Sequence, residues 1–182
     1  MPSNLALQDS PGYKYQVLPG GLVKATLEEF KVFFGRSDRR ELIVDHYLKF
    51  REKLDPLLPN ATHLIDGSFV ESKKAPSDLD SVIMFDAEEY DNYPSARRNE
   101  ILKLIGTGND SKQVYMTDAF GVPLAKPDNK LYSYSWARTA YWLPWFGTSR
   151  GGTSKGIIRL LGSSPRDALS QFLANSGMEI LP

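Results

Sequence analysis

The chain has 182 residues, with 22 Lys and Arg against 22 Asp and Glu and no cysteine. That length suits one domain with a real core, and the apolar content excludes a disordered chain. Zero net charge removes any global pull toward nucleic acid, leaving only a local basic groove as a route to it, and the lack of cysteine removes disulfides, thiolate metal sites and a cysteine nucleophile.

Residues 1–22 carry the turn pairs Pro11-Gly12 and Pro19-Gly20-Gly21 and read as an extended N-terminal arm. Thr26-Leu27-Glu28-Glu29 fits a capping box, so a short apolar helix follows and Gly35 ends it. Asp38 opens a longer helix to Leu54, with Leu42, Ile43, Tyr47, Phe50 and Leu54 at three- and four-residue spacing. Pro56 stops it. Residues 62–65 form a strand entering Asp66-Gly67-Ser68, and a polar connector over 71–77 leads to a second strand over 78–85. An acidic turn (Asp86, Glu88, Glu89, Asp91) precedes a helix over 95–105. Residues 113–118 are the third strand candidate, 121–130 a loop, and 134–145 an aromatic helix. A glycine-rich turn, a strand over 155–161 and a helix over 165–175 complete the chain. Alternating helices and strands predict an α/β or α+β fold, a mixed sheet of about four to five strands flanked by helices, in one domain over 23–182. The longest apolar runs are a few residues, so no membrane span is expected. Residues 1–10 lack the basic start and apolar run of a secretory signal, which makes the cytoplasm the expected location.

The chemistry concentrates in Gly67-Ser68 and, nine residues later, Asp78-Leu79-Asp80. Residues two apart in a strand share a face, so Asp78 and Asp80 present two carboxylates side by side. Like charges so close stay ionised most easily around a hard divalent cation such as Mg²⁺ or Mn²⁺. Gly67 permits close backbone approach, and Ser68 adds a hydroxyl and an amide. An amide-lined turn beside a carboxylate-held metal suits a triphosphate. Asp118, after Val114 and Met116, is the candidate third carboxylate.

This pattern resembles the DNA polymerase β nucleotidyltransferase superfamily, whose signature is a hydrophobic residue, Gly-Gly/Ser, a short gap and Asp-x-Asp/Glu before a hydrophobic strand. Here it reads Ile65-Asp66-Gly67-Ser68, nine residues, Asp78-Leu79-Asp80, then Val82-Ile83-Met84. A broader resemblance joins Leu18-Pro19-Gly20-Gly21, Thr26-Leu27-Glu28-Glu29-Phe30, Arg39-Arg40, Asp66-Gly67-Ser68-Phe69-Val70, residues 142–147 and Lys155-Gly156-Ile157-Ile158. It is to small bacterial and phage-associated proteins of nucleotidyltransferase-like character. The resemblance implies a polymerase-β-like fold with Asp78, Asp80 and Asp118 as metal ligands and catalytic groups, Gly67 and Ser68 on the β- and γ-phosphates, and Mg²⁺ or Mn²⁺ as cofactor. The expected reaction moves a nucleoside monophosphate from a nucleoside triphosphate, ATP among them, to a hydroxyl of a protein or an RNA. It also implies a toxin–antitoxin or phage-defence setting, with a cognate toxin or antitoxin as possible partner. Where the commoner loop has a second Gly, this chain has Glu71-Ser72-Lys73-Lys74, and Lys73 is the candidate phosphate-neutralising side chain.

Blander readings hold elsewhere. Arg36, Arg39 and Arg40, interleaved with Asp38 and Glu41, read as a solvated helix start. Trp136, Tyr141, Trp142, Trp145 and Phe146 read as core rather than a base-stacking platform. His46 and His63 lack metal spacing and read as structural. The glycine-rich 147–155 segment lacks the Gly-Lys-Ser/Thr order of a P-loop, although Arg150 and Lys155 could reach a ligand from it. The rival to an enzyme is a catalytically inactive relative that binds and regulates a partner protein, with the aromatic 132–146 stretch as its interface if exposed.

Overall fold

The computed structural model describes residues 5–160 and 168–178. Five strands form one mixed sheet: β1 (Gly21–Ala25), β2 (Thr62–Asp66), β3 (Leu79–Asp86), β4 (Thr117–Leu124) and β5 (Gly156–Leu160), in the order β1-β5-β2-β3-β4. β1 pairs parallel to β5 and β3 parallel to β4, whereas β2 runs antiparallel to both of its neighbours. Seven helices stand among the described residues: α1 (Leu27–Phe34), α2 (Asp38–Leu54), α3 (Ala87–Asp91), α4 (Ser95–Ile105), α5 (Ser111–Tyr115), α6 (Tyr132–Phe146) and α7 (Ala168–Ser176). The mixed α/β architecture is as the sequence predicts. No helix among the described residues is long and apolar enough to cross a membrane.

Two cores sandwich the sheet. Ile65, Leu79, Ile83 and Ala119 pack against α1, α2 and α4 through Phe30, Tyr47, Phe50 and Ile101. Leu64, Val82, Met84 and Val122 face α6 and α7 through Trp142, Phe146 and Phe172. β2, buried along its whole length, is the central strand of the sheet. Thr26 caps α1 as predicted: its side chain accepts from the Glu29 amide while the Glu29 carboxylate accepts from the Thr26 amide. Replacing such a cap by Ala costs about 1 kcal/mol.

Four expectations need correction. The strand expected over 113–118 is mostly the short helix α5, which ends at Met116 in the left-handed region (φ 51°), and the strand runs from Thr117 through Leu124 into the expected loop. A five-residue apolar and polar mixture does not separate strand from helix by period alone. The acidic turn is the helix α3, capped by Asp86. The N-terminal arm is not separate from the domain: its last residues enter β1, Gln8 and Val17 exchange backbone hydrogen bonds of 2.8 and 2.9 Å, and Leu5, Val17 and Leu18 are buried. α6 extends past its expected limits at both ends. Residue 161 of the expected last strand and residues 165–167 of the last helix lie outside the described residues.

Candidate functional site

The antiparallel and parallel pairings bring the C-terminal end of β2 to the same sheet edge as the N-terminal ends of β3 and β4. In register, Asp66 faces Asp80 and Asp80 faces Asp118. Side chains alternate along strands, and Leu64, Val82 and Val122 all face α6 and α7, so Asp66, Asp80 and Asp118 form one row on that face. Asp78, two residues before Asp80 and outside the regular strand, joins them.

Gly67 opens a 3₁₀ turn, Gly67–Val70, directly after β2. Its φ of +77° is a conformation L side chains rarely adopt. A Cβ there would also stand 1.7 Å from Asp80 Oδ2. The turn and the carboxylate therefore touch across the sheet edge, as the sequence spacing implied. Ser68 is half-buried beside it, while Phe69 and Val70 anchor the turn in the first core against Phe30 and Phe34.

The connector from this turn to Asp78 is clamped by the two arginines expected to be a solvated helix start. Arg40 is 8% exposed and donates to the carbonyls of Phe69 (2.6 Å), Glu71 (2.5 Å) and Lys73 (2.7 Å). Arg39 donates to the carbonyls of Pro76 (3.0 Å) and Ser77 (2.6 Å). Cations in the first turn of a helix oppose its dipole, and that local conflict is the sequence signal that they serve another element.

Lys112 of α5, not singled out from the sequence, binds two of the expected metal ligands. Its Nζ lies 2.6 Å from Asp78 Oδ2 and 3.0 Å from Asp118 Oδ2. Burial pushes the Asp78 carboxyl up, but Lys112 and the Ser77 hydroxyl (2.6 Å) outweigh it and hold it below the usual range. The same two carboxylates hold the Lys112 ammonium well above its ordinary value. Asp80 lacks such a partner: burial, then the charges of Asp78 and Asp118, raise it to about 6. Asp80 thus senses both other acids, which is the electrostatic mark of a carboxylate cluster short of positive charge. Asp118 stands at the start of β4 rather than at a strand's end, because the left-handed Met116 turns the chain from α5 into a strand parallel to β3. Lys73 is half-buried, and its charge helps to lower Asp78.

Among the described residues no three His, Asp or Glu side chains close on a point as a metal cage. The cation between Asp78 and Asp118 is the Lys112 ammonium. The all-oxygen donor set and the stand-in ammonium fit a hard divalent ion in chemistry and in charge, and such an ion has to take the place of Lys112.

Behind the row lies a buried network that sequence reasoning also missed. Lys155 Nζ is 3.0 Å from Asp66 Oδ2 and 3.1 Å from Glu71 Oε1, all three side chains being almost fully buried. Tyr13 Oη donates to Glu71 Oε2 at 2.9 Å, which ties the N-terminal arm to the site. Burial outweighs Lys155 and raises Asp66 to about 8. Lys155 is therefore committed to holding the Gly67 turn from below, not reaching out of the glycine-rich turn to a ligand. His63 is structural: buried, it shares a 2.9 Å hydrogen bond with Tyr47 and lies 3.4 Å from Asp55.

Beyond β4, at the sheet's edge, opens a cavity of about 630 Å³ with Asp118, Phe120, Tyr134, Arg138, Tyr141 and Trp142 in its lining. The aromatic residues of α6 divide. Trp142 and Phe146 are core, whereas Trp136 (46%), Tyr141 (50%) and Trp145 (64%) are exposed, contrary to a wholly buried stripe.

A family model described as a family of unknown function, DUF6932, matches residues 12–161. The match spans most of the chain, which therefore belongs to that family. No curated protein and no solved structure matches.

Proposed function

We propose that this DUF6932 protein is a metal-dependent nucleotidyltransferase of polymerase-β-like type. The observation that carries the reading is the grouping of Asp78 and Asp118 on the Lys112 ammonium, with Asp80 next to both and against a left-handed glycine turn. Asp78 and Asp80 would hold Mg²⁺ or Mn²⁺, with Asp118 completing the set. A divalent ion bound there supplies charge neutralisation and alignment of a triphosphate. The chain itself supplies the rest. The Gly67-Ser68 turn would meet the β- and γ-phosphates, with the Ser68 amide and hydroxyl as donors. Lys73 adds positive charge nearby. Asp118, at the edge strand, accepts the proton of the acceptor hydroxyl as its oxygen attacks the α-phosphorus and pyrophosphate departs. Lys155, Arg39 and Arg40 act as positioning residues for the turn and connector. The acceptor is a hydroxyl of a protein or an RNA, in a toxin–antitoxin or phage-defence setting.

The test is transfer of label from each α-labelled nucleoside triphosphate into a bacterial lysate with Mg²⁺. Protease or RNase sensitivity of the labelled product sorts protein from RNA acceptors. Label that depends on Asp80 supports the reading; equal labelling by wild type and Asp80→Asn refutes it.

One observation favours a second reading. The exposed Trp136, Tyr141 and Trp145, the last two stacked at 6.0 Å, give α6 an apolar surface of the kind that binds proteins. A catalytically inactive partner-binding protein, antitoxin-like in role, would use that face and would tolerate loss of all three aspartates.

A further inference from the structure

We propose that the cavity beyond β4 is a nucleobase site. A nucleoside triphosphate would then lie across the strand ends, with its phosphates at the Gly67 turn and its base in the cavity beside Phe120, Arg138 and Tyr141. The inference rests on the nucleotidyltransferase reading above and deepens it by assigning where the donor's base binds.

Topology supplies the direction. Along the sheet edge come the Gly67 turn on β2, Asp78 and Asp80 at β3, Asp118 on β4, and then the cavity, of which Asp118 is itself a wall. Two strand spacings, roughly 10 Å, separate the turn from Asp118. A chain of phosphates gripped at β2 and neutralised at β3 can place its sugar and base only toward β4, because the other direction is closed by Lys155, Asp66 and β5.

The cavity's chemistry is that of a flat aromatic ligand. Phe120 and Trp142 pack with ring centroids 4.7 Å apart, and Tyr141 meets Trp142 edge-on at 5.2 Å. The Arg138 guanidinium lies 5.7 Å from the Tyr141 ring and 5.5 Å from the Trp142 ring. Among the described residues Arg138 has no carboxylate partner, and its buried Nε has no hydrogen-bond partner. A planar cation beside aromatic faces, with a donor left unpaired, is a recurrent reader of unstacked bases. A volume of about 630 Å³ lies within the range of small-molecule sites.

The obvious competing occupant, an extended peptide adding to the free edge of β4, is disfavoured by the edge itself. Asn109 Nδ2 already donates to the Ala119 carbonyl at 3.0 Å, and Pro123 has no N–H to offer.

Calorimetric titration of wild type, Arg138→Gln and Tyr141→Ala tests the proposal, each variant being first checked for a cooperative melt. The probes are the four ribonucleosides without phosphate, inorganic tripolyphosphate with Mg²⁺, and the matching triphosphates with Mg²⁺. Expected is binding of at least one nucleoside to the wild type, weakened about tenfold by either substitution, with tripolyphosphate binding unchanged. Nucleoside or triphosphate affinity equal in all three proteins overturns the base site; if tripolyphosphate still binds, the nucleotidyltransferase reading survives that failure. Pocket-dependent nucleoside binding without any tripolyphosphate binding upholds the base site and sinks the nucleotidyltransferase reading. If no probe binds, both fall.

Discussion

Replacing Gly67 by Ala probes the contact on which the site is built. The substitution acts twice. It forces an L side chain to φ +77°, which costs about 1–2 kcal/mol. It also puts a methyl carbon 1.7 Å from Asp80 Oδ2, where ordinary contact begins at 3.4 Å, so the carboxylate must retreat by about the difference. Asp80 is flanked by the register partners Asp66 and Asp118 and cannot move sideways without approaching another carboxylate. Overpacking of this kind costs roughly 1–3 kcal/mol. The total, about 2–5 kcal/mol, is a fall in Tm of roughly 4–20 °C for a chain of this size. Urea unfolding of wild type, Gly67→Ala, Asp80→Ala and the double variant separates the two parts. Removing the carboxylate leaves only the φ cost, so the double variant should show about 1–3 kcal/mol of coupling. Strictly additive effects would refute the claim that turn and carboxylate touch.

Three further outcomes follow from the same geometry. Lys112→Gln frees Asp78 and Asp118 of their resident cation, so Mn²⁺ should bind about tenfold tighter by calorimetry; unchanged or weaker binding would remove Lys112 from the cation position. Asp80 and Asp66 are raised to about 6 and about 8 in the folded state. Their contribution is therefore present below about pH 4 and is lost as pH rises through those values. Asp80→Asn should accordingly raise Tm at pH 7.5 and little at pH 4, while Asp66→Asn should flatten the decline between pH 6 and 8. A pH-independent gain in both would contradict the assigned shifts. Arg40→Lys keeps the charge but cannot donate to three carbonyls at once. Limited proteolysis should then cut within 71–77, where the wild type resists.

The parts legible in the sequence are those governed by local rules. The capping box at Thr26, the apolar spacing of Ile43, Tyr47, Phe50 and Leu54 in α2 and the Gly67-Ser68 turn after β2 follow from caps, periodicity and turn chemistry, and each stands where expected. Asp118 was found by position but its strand was not, because the boundary is set by the left-handed Met116, a non-glycine residue that gives no sequence signal. The roles of Arg40, Lys112 and Lys155 are not legible for a different reason. Apart from Asp118, six residues from Lys112, their partners lie between 29 and 89 residues away along the chain, and an isolated lysine or arginine in a polar stretch reads as solvated until tertiary structure supplies the carboxylates or carbonyls it serves. The split of the α6 aromatics follows the helical period: Ser135, Thr139, Trp142, Leu143 and Phe146 form one buried stripe, and Trp136, Tyr141 and Trp145 fall off it.

The most direct measurement is thermal unfolding of wild type and the Asp78→Asn/Asp80→Asn variant with ATP, GTP, CTP and UTP, each with and without Mg²⁺. Ligand at 100 times its dissociation constant adds about 2.7 kcal/mol, a rise in Tm of roughly 5–11 °C at this size. The account predicts such a rise for at least one triphosphate, dependent on Mg²⁺ and absent from the variant. No rise with any of the four, or an equal rise in the variant, would contradict a nucleotide site at Asp78, Asp80 and Asp118.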